Sequence, residues 1–533
     1  MSNANKVQEA HSPMFLIFLL ATALICGAQV MVVEVLGSRV ISPFFGASLF
    51  IWTSLIAVTL VGLALGYMAG GGLSDLYESP AYLYTIIFLA GIVIYCIPIL
   101  KKPVFELTVP LGLRFGALTA SALLFGVPHF LLGCVSPYII RIAAKEMQKL
   151  GRTVGLFYAV STIGSFFGTI LTGFFLISFF KVNQIFAIIS LILILLSVIF
   201  FIFFRKRYLF FVLLVVPVLL PSAKDIRTMS PYYGQTITKM YDHDTFYGNI
   251  KVIETSYPNN MRIREMLLDG AIQGGIDVAN GMPVYNYYYY LQYIPFSLNA
   301  QGKYCLVMGL GTGIIPLWYE KMGIQTDVVD INPEVFAVAK KYFGFHTKGE
   351  NIVADARYFL SLTKKKYDYI ILDVFNGDAL PEHLLSLESF ELISQHLNDR
   401  GILGINYVGS IKHDTFITSS IVKTLRTVFS TVEIFPTFDP ENPYSQNFGI
   451  GNLEIFAYNF PSAPLNRKQL QSFPFHPQAS SARDNIGIKF SFPYGTPGTI
   501  LTDNYDPIDT LDLRVKEEIR KRVLASTPIE MLL

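Results

Sequence analysis

Between residues 14 and 221 the chain repeats one pattern, an apolar stretch followed by a few polar residues and another apolar stretch. The segments are 14–36, 49–72, 81–100, 113–140, 154–180 and 182–204, with a shorter one at 208–221. Six of them reach the roughly 20 residues that a helix needs to cross ~30 Å of hydrocarbon, where every backbone N–H and C=O must be satisfied inside the segment. This half is therefore expected to fold as a bundle of six to seven transmembrane helices in a lipid bilayer. The seventh segment, YLFFVLLVVPVLLP, would span only ~21 Å as helix and contains Pro217, so it reads equally as a crossing or as a segment lying along the surface. The first segment is longer than a signal-peptide core and is followed by no small-residue cleavage site, which predicts a retained helix.

Charge divides the chain at the same place. Residues 14–220 carry 17 charged side chains (12 basic, 5 acidic) and residues 221–533 carry 61 (28 basic, 33 acidic). The net charge of +2 on a chain that is 52% hydrophobic is thus the sum of a cationic half and an acidic half. This excludes a disordered chain, a coiled coil and a nucleic-acid binder, which needs a basic stripe. Arg141, Lys145, Lys149 and Arg152 fall in one loop and Arg205, Lys206 and Arg207 in another. Both loops lie on one side by parity, and the excess of Lys and Arg predicts that this side is cytoplasmic. Gly62, Gly66, Gly70, Gly164 and Gly168 recur at four-residue spacing, which lets helices approach closely. Glu34 at the end of the first apolar run calls for a partner, and Arg39 is the candidate in reach. Cys26, Cys96, Cys134 and Cys305 show no metal-ligand or disulfide spacing, and no metal is expected.

From about residue 231 the pattern changes to short runs rich in Thr, Ile, Val and Tyr (QTITKMYD, NIKVIETS, MRIREMLLDG), which predicts a small antiparallel β-sheet. KYCLVMGLGTGIIPLWYEKMG then reads as strand, glycine turn and helix. TDVVDINPEVFAVAKKYF, NIVADARYFLSL, YDYIILDVFNGD and GILGINYV continue the alternation, which implies a parallel sheet covered on both faces, a Rossmann-like α/β domain. The resulting division is 1–221 transmembrane, 222–300 small sheet and 301–533 nucleoside-binding domain.

Gly309, Gly311 and Gly313 sit where the first parallel strand turns into its helix, and bare backbone there admits a ligand. Asp330 ends the second strand about 20 residues later, placed to accept from ribose hydroxyls. Asp355 ends the third, where an acid can meet an adenine amino group. The three together point to a nucleoside-containing ligand, and GLGTG with DIN fits a sulfonium of the S-adenosylmethionine type better than a dinucleotide. Asp373 ends the fourth strand and Asp378 follows five residues on. Beside a sulfonium, two carboxylates can attract a cationic amine, orient it and take its proton; the competing reading makes Asp378 a turn residue and Asp373 a strand cap. His383 reads as local structure.

These residues resemble the polyamine aminopropyltransferases, the spermidine synthase family. LLDGAIQ, GLGTG, DINPE, ADAR and LDVFNGDALPEHLL are similar to that family's nucleoside-binding and catalytic segments. CGAQVMVVEVLGSRVISPFFGASLF, LVGLALGYMAGGGLSDL, GLFYAVSTIGSFFGTILTGFFL and LTDNYDP resemble its membrane-bound branch, fused major-facilitator/spermidine-synthase proteins. The resemblance implies transfer of an aminopropyl group from decarboxylated S-adenosylmethionine to an amine such as putrescine, giving spermidine and methylthioadenosine with no permanently bound cofactor. It assigns Gly309, Gly311 and Gly313 to the nucleoside donor, Asp330 to its ribose, Asp355 to its adenine, Gln273 to its aminopropyl end, and Asp373 with Asp378 to the acceptor amine. Partners would be a polyamine substrate and the bilayer, and a homo-oligomer is compatible with the sequence. Because the donor is made in the cytoplasm, the catalytic half is expected there, carried by a multi-pass protein of the cell membrane. Three positions depart from the soluble members. Thr312 stands where they carry an acid in the glycine turn, Asn376 replaces the second acid of their DSSD, and QGGIDVANGMPVYNYYYY replaces their DExxYHE, with Tyr287, Tyr288, Tyr289 and Tyr290 as substitutes. Two further readings stay open: an S-adenosylmethionine-dependent methyl or aminocarboxypropyl transferase, suggested by Thr312, and a non-catalytic polyamine transporter or sensor, suggested by Glu34.

Overall fold

The structure, a computed structural model, describes residues 13–46, 49–146, 150–205, 227–230, 234–375, 380–441, 449–461 and 464–533. The short apolar segment 208–221, the loop residues Lys149, Lys206 and Arg207, and Asn376 and Asp378 lie outside the described residues. Contacts divide the chain into two compact units, Met1–Asp225 with Leu532–Leu533, and Ile226–Met531.

The first unit is helical: α1 Pro13–Phe45, α2 Leu49–Leu76, α3 Pro80–Thr108, α4 Gly112–Ser121, α5 Val127–Glu146, α6 Leu150–Leu171 and α7 Val182–Phe203. Among the described residues five helical runs are long and apolar enough to cross a bilayer. The longest, Pro80–Ala144, holds two of the six expected spans. It is interrupted at Gly112, whose φ of 79° is outside the helical region, and α5 packs against α3. The spaced glycines make the close pairings. A Cβ on Gly66 or Gly70 would strike the backbone of α5 at Phe130 and Cys134, and one on Gly164 or Gly168 would strike the backbone of α1 at Leu24 and Ala28. Such glycines bring the helix backbones into direct contact. Thr59 of α2 donates a hydrogen bond to the Glu34 carboxylate. Arg141 pairs with Asp75 and Glu78, and Arg205 donates to Ser79 (2.6 Å), so one arginine from each basic loop meets the α2–α3 connector at one end of the bundle.

The second unit contains two sheets. Strands β1 Thr228–Met229, β2 Thr236–Thr245, β3 Gly248–Ser256, β4 Arg262–Leu268 and β5 Ala271–Asp277 form an antiparallel sheet in sequence order. Helix α8, Tyr287–Leu298, leads from it into β6 Tyr304–Met308, α9 Ile314–Lys321, β7 Gln325–Asp330, α10 Pro333–Phe343, β8 Asn351–Val353, α11 Ala356–Leu362 and β9 Tyr367–Leu372. After these come α12 Leu387–Gln395, β10 Leu397–Ser410, α13 Phe416–Val428, β11 Thr431–Pro436 and β12 Ile450–Tyr458. Seven strands pair in the order β11-β12-β10-β9-β6-β7-β8. The five from β8 to β10 are parallel, and β12 runs antiparallel between β10 and β11. The central strands read as unbroken apolar runs because helices cover both faces: Leu306, Val307, Ile370 and Ile371 are all fully buried.

Candidate active site

Register places the site. Val329 pairs with Met308, Met308 with Leu372, and Leu372 with Ile405, so Asp330, Gly309, Asp373 and Asn406 stand side by side one step further along the row. Asn406 pairs in turn with Glu454 of β12, which extends the row. This row is the carboxyl edge of the parallel strands, where open α/β sheets bind ligands.

The glycine turn is shaped by close approaches. Gly309 has φ 89°, and a Cβ there would collide with the carbonyl oxygen of Asp373. Gly313, at φ 77°, begins α9, and its Cβ would press on Phe345. At Gly311, with φ 50°, a Cβ would stand 3.3 Å from the carbonyl oxygen of Gln273. The turn therefore lies against both β5 and the end of β9. Thr312, where soluble relatives of this pattern place an acid, is fully buried, and its Oγ1 is 2.7 Å from the Tyr288 hydroxyl. Tyr287 and Tyr288 also donate to the Gln273 carbonyl at 3.2 and 3.4 Å. Among the described residues the Gln273 side chain reaches only the Ala271 carbonyl, at 3.4 Å.

Asp330 accepts from the backbone N–H of Leu310 (2.9 Å) and of Asn332 (2.8 Å), which ties the end of β7 to the glycine turn. Burial still outweighs these two donors and raises its carboxyl above the ordinary value. Asp355 caps α11 by accepting from the Tyr358 N–H (2.8 Å), and its second oxygen is 2.9 Å from Nε2 of His383. His383 is thus a direct neighbour of a candidate site residue.

The surroundings of Asp373 differ in kind. Asp373, half-buried, accepts from Nδ2 of Asn406 (2.7 Å), its one side-chain donor among the described residues, and Asn452 in turn donates to Oδ1 of Asn406 (2.8 Å). Burial pushes its carboxyl up to about 6 against that bond. Glu454 is fully buried, and neither of its carboxylate oxygens has a hydrogen-bond partner among the described residues. Burial, and then the charge of Asp373, drive it well above the usual carboxylate range. The hydroxyl of fully buried Tyr290 is likewise without a partner among the described residues, and Glu454 contributes to raising it. An uncompensated buried acid of this kind is costly unless a cation meets it. The pair is suited to receive an ammonium, hold it and take one proton.

The structure thus brings Asp330, Gly309, Gly311, Gly313, Gln273 and Asp373 to one edge, with Asp355 beyond Asp330 after β8. Sequence reasoning misses Glu454 and Asn406. The signal for Glu454 is a lone acid inside an apolar strand pattern, NLEIFAY.

The sequence model of the spermine/spermidine synthase domain matches residues 287–448. The polyamine aminopropyltransferase of Vibrio vulnificus (strain CMCP6) is 33% identical over 256 residues, covering 46% of this chain and 76% of that protein. Polyamine aminopropyltransferase 2 of Aquifex aeolicus (strain VF5) is 24% identical over 471 residues, 80% of this chain and 87% of that one, so the likeness extends past the second unit into the helices. The N-terminal histidine N-methyltransferase of Emericella nidulans is 29% identical over 225 residues, and the chain spans only 38% of its length. Among solved structures, a probable spermidine synthase from Corynebacterium glutamicum ATCC 13032 covers 56% of this chain and 96% of its own, with a TM-score of 0.36 and 15% identity.

Proposed function

Because the chain belongs to the spermine/spermidine synthase family, we propose that it is a membrane-anchored polyamine aminopropyltransferase. It moves the aminopropyl group of decarboxylated S-adenosylmethionine to a primary amine such as putrescine and releases methylthioadenosine. The observation that carries this reading is the Asp373–Asn406–Glu454 row, with both oxygens of a buried glutamate unpartnered among the described residues at the edge that also holds the glycine turn.

In this reading the donor lies over Gly309, Gly311 and Gly313, with Asp330 on its ribose, Asp355 at its adenine and Gln273 near its aminopropyl end. The acceptor enters as an ammonium between Asp373 and Glu454. Asp373, with its carboxyl near 6, is ionised at neutral pH and draws off a proton to free the lone pair. That lone pair forms the new C–N bond at the aminopropyl carbon bonded to sulfur. The C–S bond breaks with its electron pair on sulfur, turning a sulfonium into a neutral thioether. A sulfonium leaves without help from a metal, so the protein's tasks are aiming and deprotonation. Asn406 keeps Asp373 turned toward the acceptor, and Glu454 supplies the counter-charge for the entering cation. Five apolar helical runs serve as the anchor.

A second reading is favoured by one observation. Thr312, bonded to Tyr288, leaves the glycine turn without the acid that would hold a free donor amine. S-adenosylmethionine itself would then be the donor, for methyl or aminocarboxypropyl transfer. One experiment separates the two: full-length protein in nanodiscs is incubated with each sulfonium and a panel of diamines and monoamines, and products are read by mass spectrometry. Methylthioadenosine appearing only with the decarboxylated donor and an amine is expected. S-adenosylhomocysteine from S-adenosylmethionine, with no reaction of the decarboxylated donor, would overturn the proposal.

A further inference from the structure

The C-terminal segment LTDNYDP has no part in the mechanism above, yet it is bonded to the adenine end of the site. Arg357 sits in the first turn of α11, two residues after Asp355. Its NH1 and NH2 donate to Oδ1 and Oδ2 of Asp503, each at 2.7 Å, a bidentate ion pair. Ser386 donates to the same Asp503 oxygen at 2.7 Å, and the Asp503 N–H donates to Glu388 at 3.0 Å. Leu501, fully buried, accepts from the Leu387 N–H (2.9 Å) and donates to Thr424 (2.9 Å), which fixes the strap against α12 and α13. Arg357 further donates to the carbonyl of His383 at 3.0 Å, and the His383 ring reaches back to Asp355 at 2.9 Å. The contacts close a ring from Asp355 along the chain to Arg357, from Arg357 to the His383 carbonyl and from the His383 ring back to Asp355, and Asp503 with Ser386 clasps Arg357 from outside it.

An exposed ion pair with freely moving partners is worth little. This one differs in geometry, because both guanidinium nitrogens are engaged and the carboxylate is held by a third donor. The Arg357 hydrogen bonds hold the Asp503 carboxyl down at about 2. Helix α11 has only 7 residues, too few to be stable alone, so its start depends on what holds it. A groove of about 440 Å³ lined by Asp355, Arg357, Tyr358 and Glu388 runs beside the ring.

We infer that Asp503 and Arg357 are positioning residues for the donor nucleoside: their clasp on the start of α11 holds Asp355 where it selects the adenine amino group. The inference rests on the nucleoside reading given under Proposed function. It is a claim about selectivity, and selectivity is what the test reads.

Full-length protein in detergent is titrated calorimetrically with methylthioadenosine and with methylthioinosine, which carries a carbonyl in place of the amino group. Wild type binds the adenosine compound more tightly. Asp503→Asn is expected to weaken that compound about 3- to 30-fold while changing the inosine compound less than twofold, so that the preference collapses toward that of Asp355→Asn. Arg357→Lys keeps the charge, loses the fork and gives an intermediate loss. Ser386→Ala, which leaves the ion pair in place, gives a smaller loss of the same sign and covers the case in which Asp503→Asn fails to fold. In turnover, Asp503→Asn raises the donor KM with kcat at saturating donor within twofold. An unchanged preference in folded Asp503→Asn and Ser386→Ala, or an equal loss for both nucleosides, overturns the clasp and leaves the nucleoside reading standing. Failure of wild type to bind either nucleoside overturns both.

Discussion

In the proposed reading the donor and acceptor ends of the site share one sheet edge but treat their carboxylates in opposite ways. Asp330 and Asp355 are bonded by backbone N–H groups, those of Leu310 in the glycine turn and of Asn332 for Asp330 and that of Tyr358 in a helix cap for Asp355. Asp373 has one side-chain donor and Glu454 has none among the described residues. The donor end is built before ligand arrives, and its acids are part of the fold. The acceptor end leaves a buried carboxyl, Glu454, without a hydrogen-bond partner among the described residues and driven well above the carboxylate range, and in the proposed reading an entering cation completes it. Removing an acid should therefore cost stability at one end and relieve it at the other.

The largest effect is expected at Asp373. Asp373→Asn keeps the volume and the Asn406 contact but cannot take a proton, so kcat falls about 10²- to 10⁴-fold while the thermal midpoint holds or rises. A loss of activity accompanied by a matching loss of stability would place Asp373 with the structural acids and erase the contrast. Next comes Glu454→Gln. It removes a buried unpaired acid and should stabilise the protein by about 1–3 kcal/mol, while the KM for the amine rises roughly tenfold or more and the donor Kd is unchanged. Asp330→Asn goes the other way: one amide nitrogen now faces an N–H donor, and stability drops by about 1–3 kcal/mol along with donor affinity. Chemical denaturation of the three variants side by side tests the sign reversal directly.

The smallest effect is in pH. Asp373 carries a carboxyl raised from its ordinary 3.8 to about 6, so between those values the folded state binds more protons than the unfolded one. Stability is full below about pH 4 and is lost as pH rises through 6, by on the order of 2 kcal/mol after allowance for its partial exposure. Activity moves oppositely, since kcat/KM should climb through the same window as the base ionises. Asp373→Asn should flatten this contribution to both curves.

Much of the donor end was legible because its signals are local. A glycine turn after an apolar strand, an acid about 20 residues on and another at the next strand end are read from short windows, and the structure lines Gly309 up with Asp330. Glu454 was not legible because its meaning depends on register between strands remote in sequence. Only the antiparallel insertion of β12 beside β10 puts it opposite Asn406. Glu34 illustrates the same limit among the helices, because the hydrogen bond it receives from Thr59 comes from another helix. The tyrosine run is a third case: Tyr288, Tyr289 and Tyr290 are all buried, and only the fold brings the hydroxyls of Tyr287 and Tyr288 to the Gln273 carbonyl beside the glycine turn.

The strand order also has a consequence for assembly. Strand β11 precedes β12 in the chain but pairs with nothing else in the sheet. It joins the sheet through β12, either after that strand or paired with it, and not before it. A ribosome that has emitted everything through residue 436 has released the glycine turn, Asp330 and Asp373, and still lacks the strand that carries Glu454. Throughout that interval the edge of β10 stands open to any other strand, which makes it the place where misassembly would begin. Completion of the amine site and sealing of that edge are one event in the life of the nascent chain.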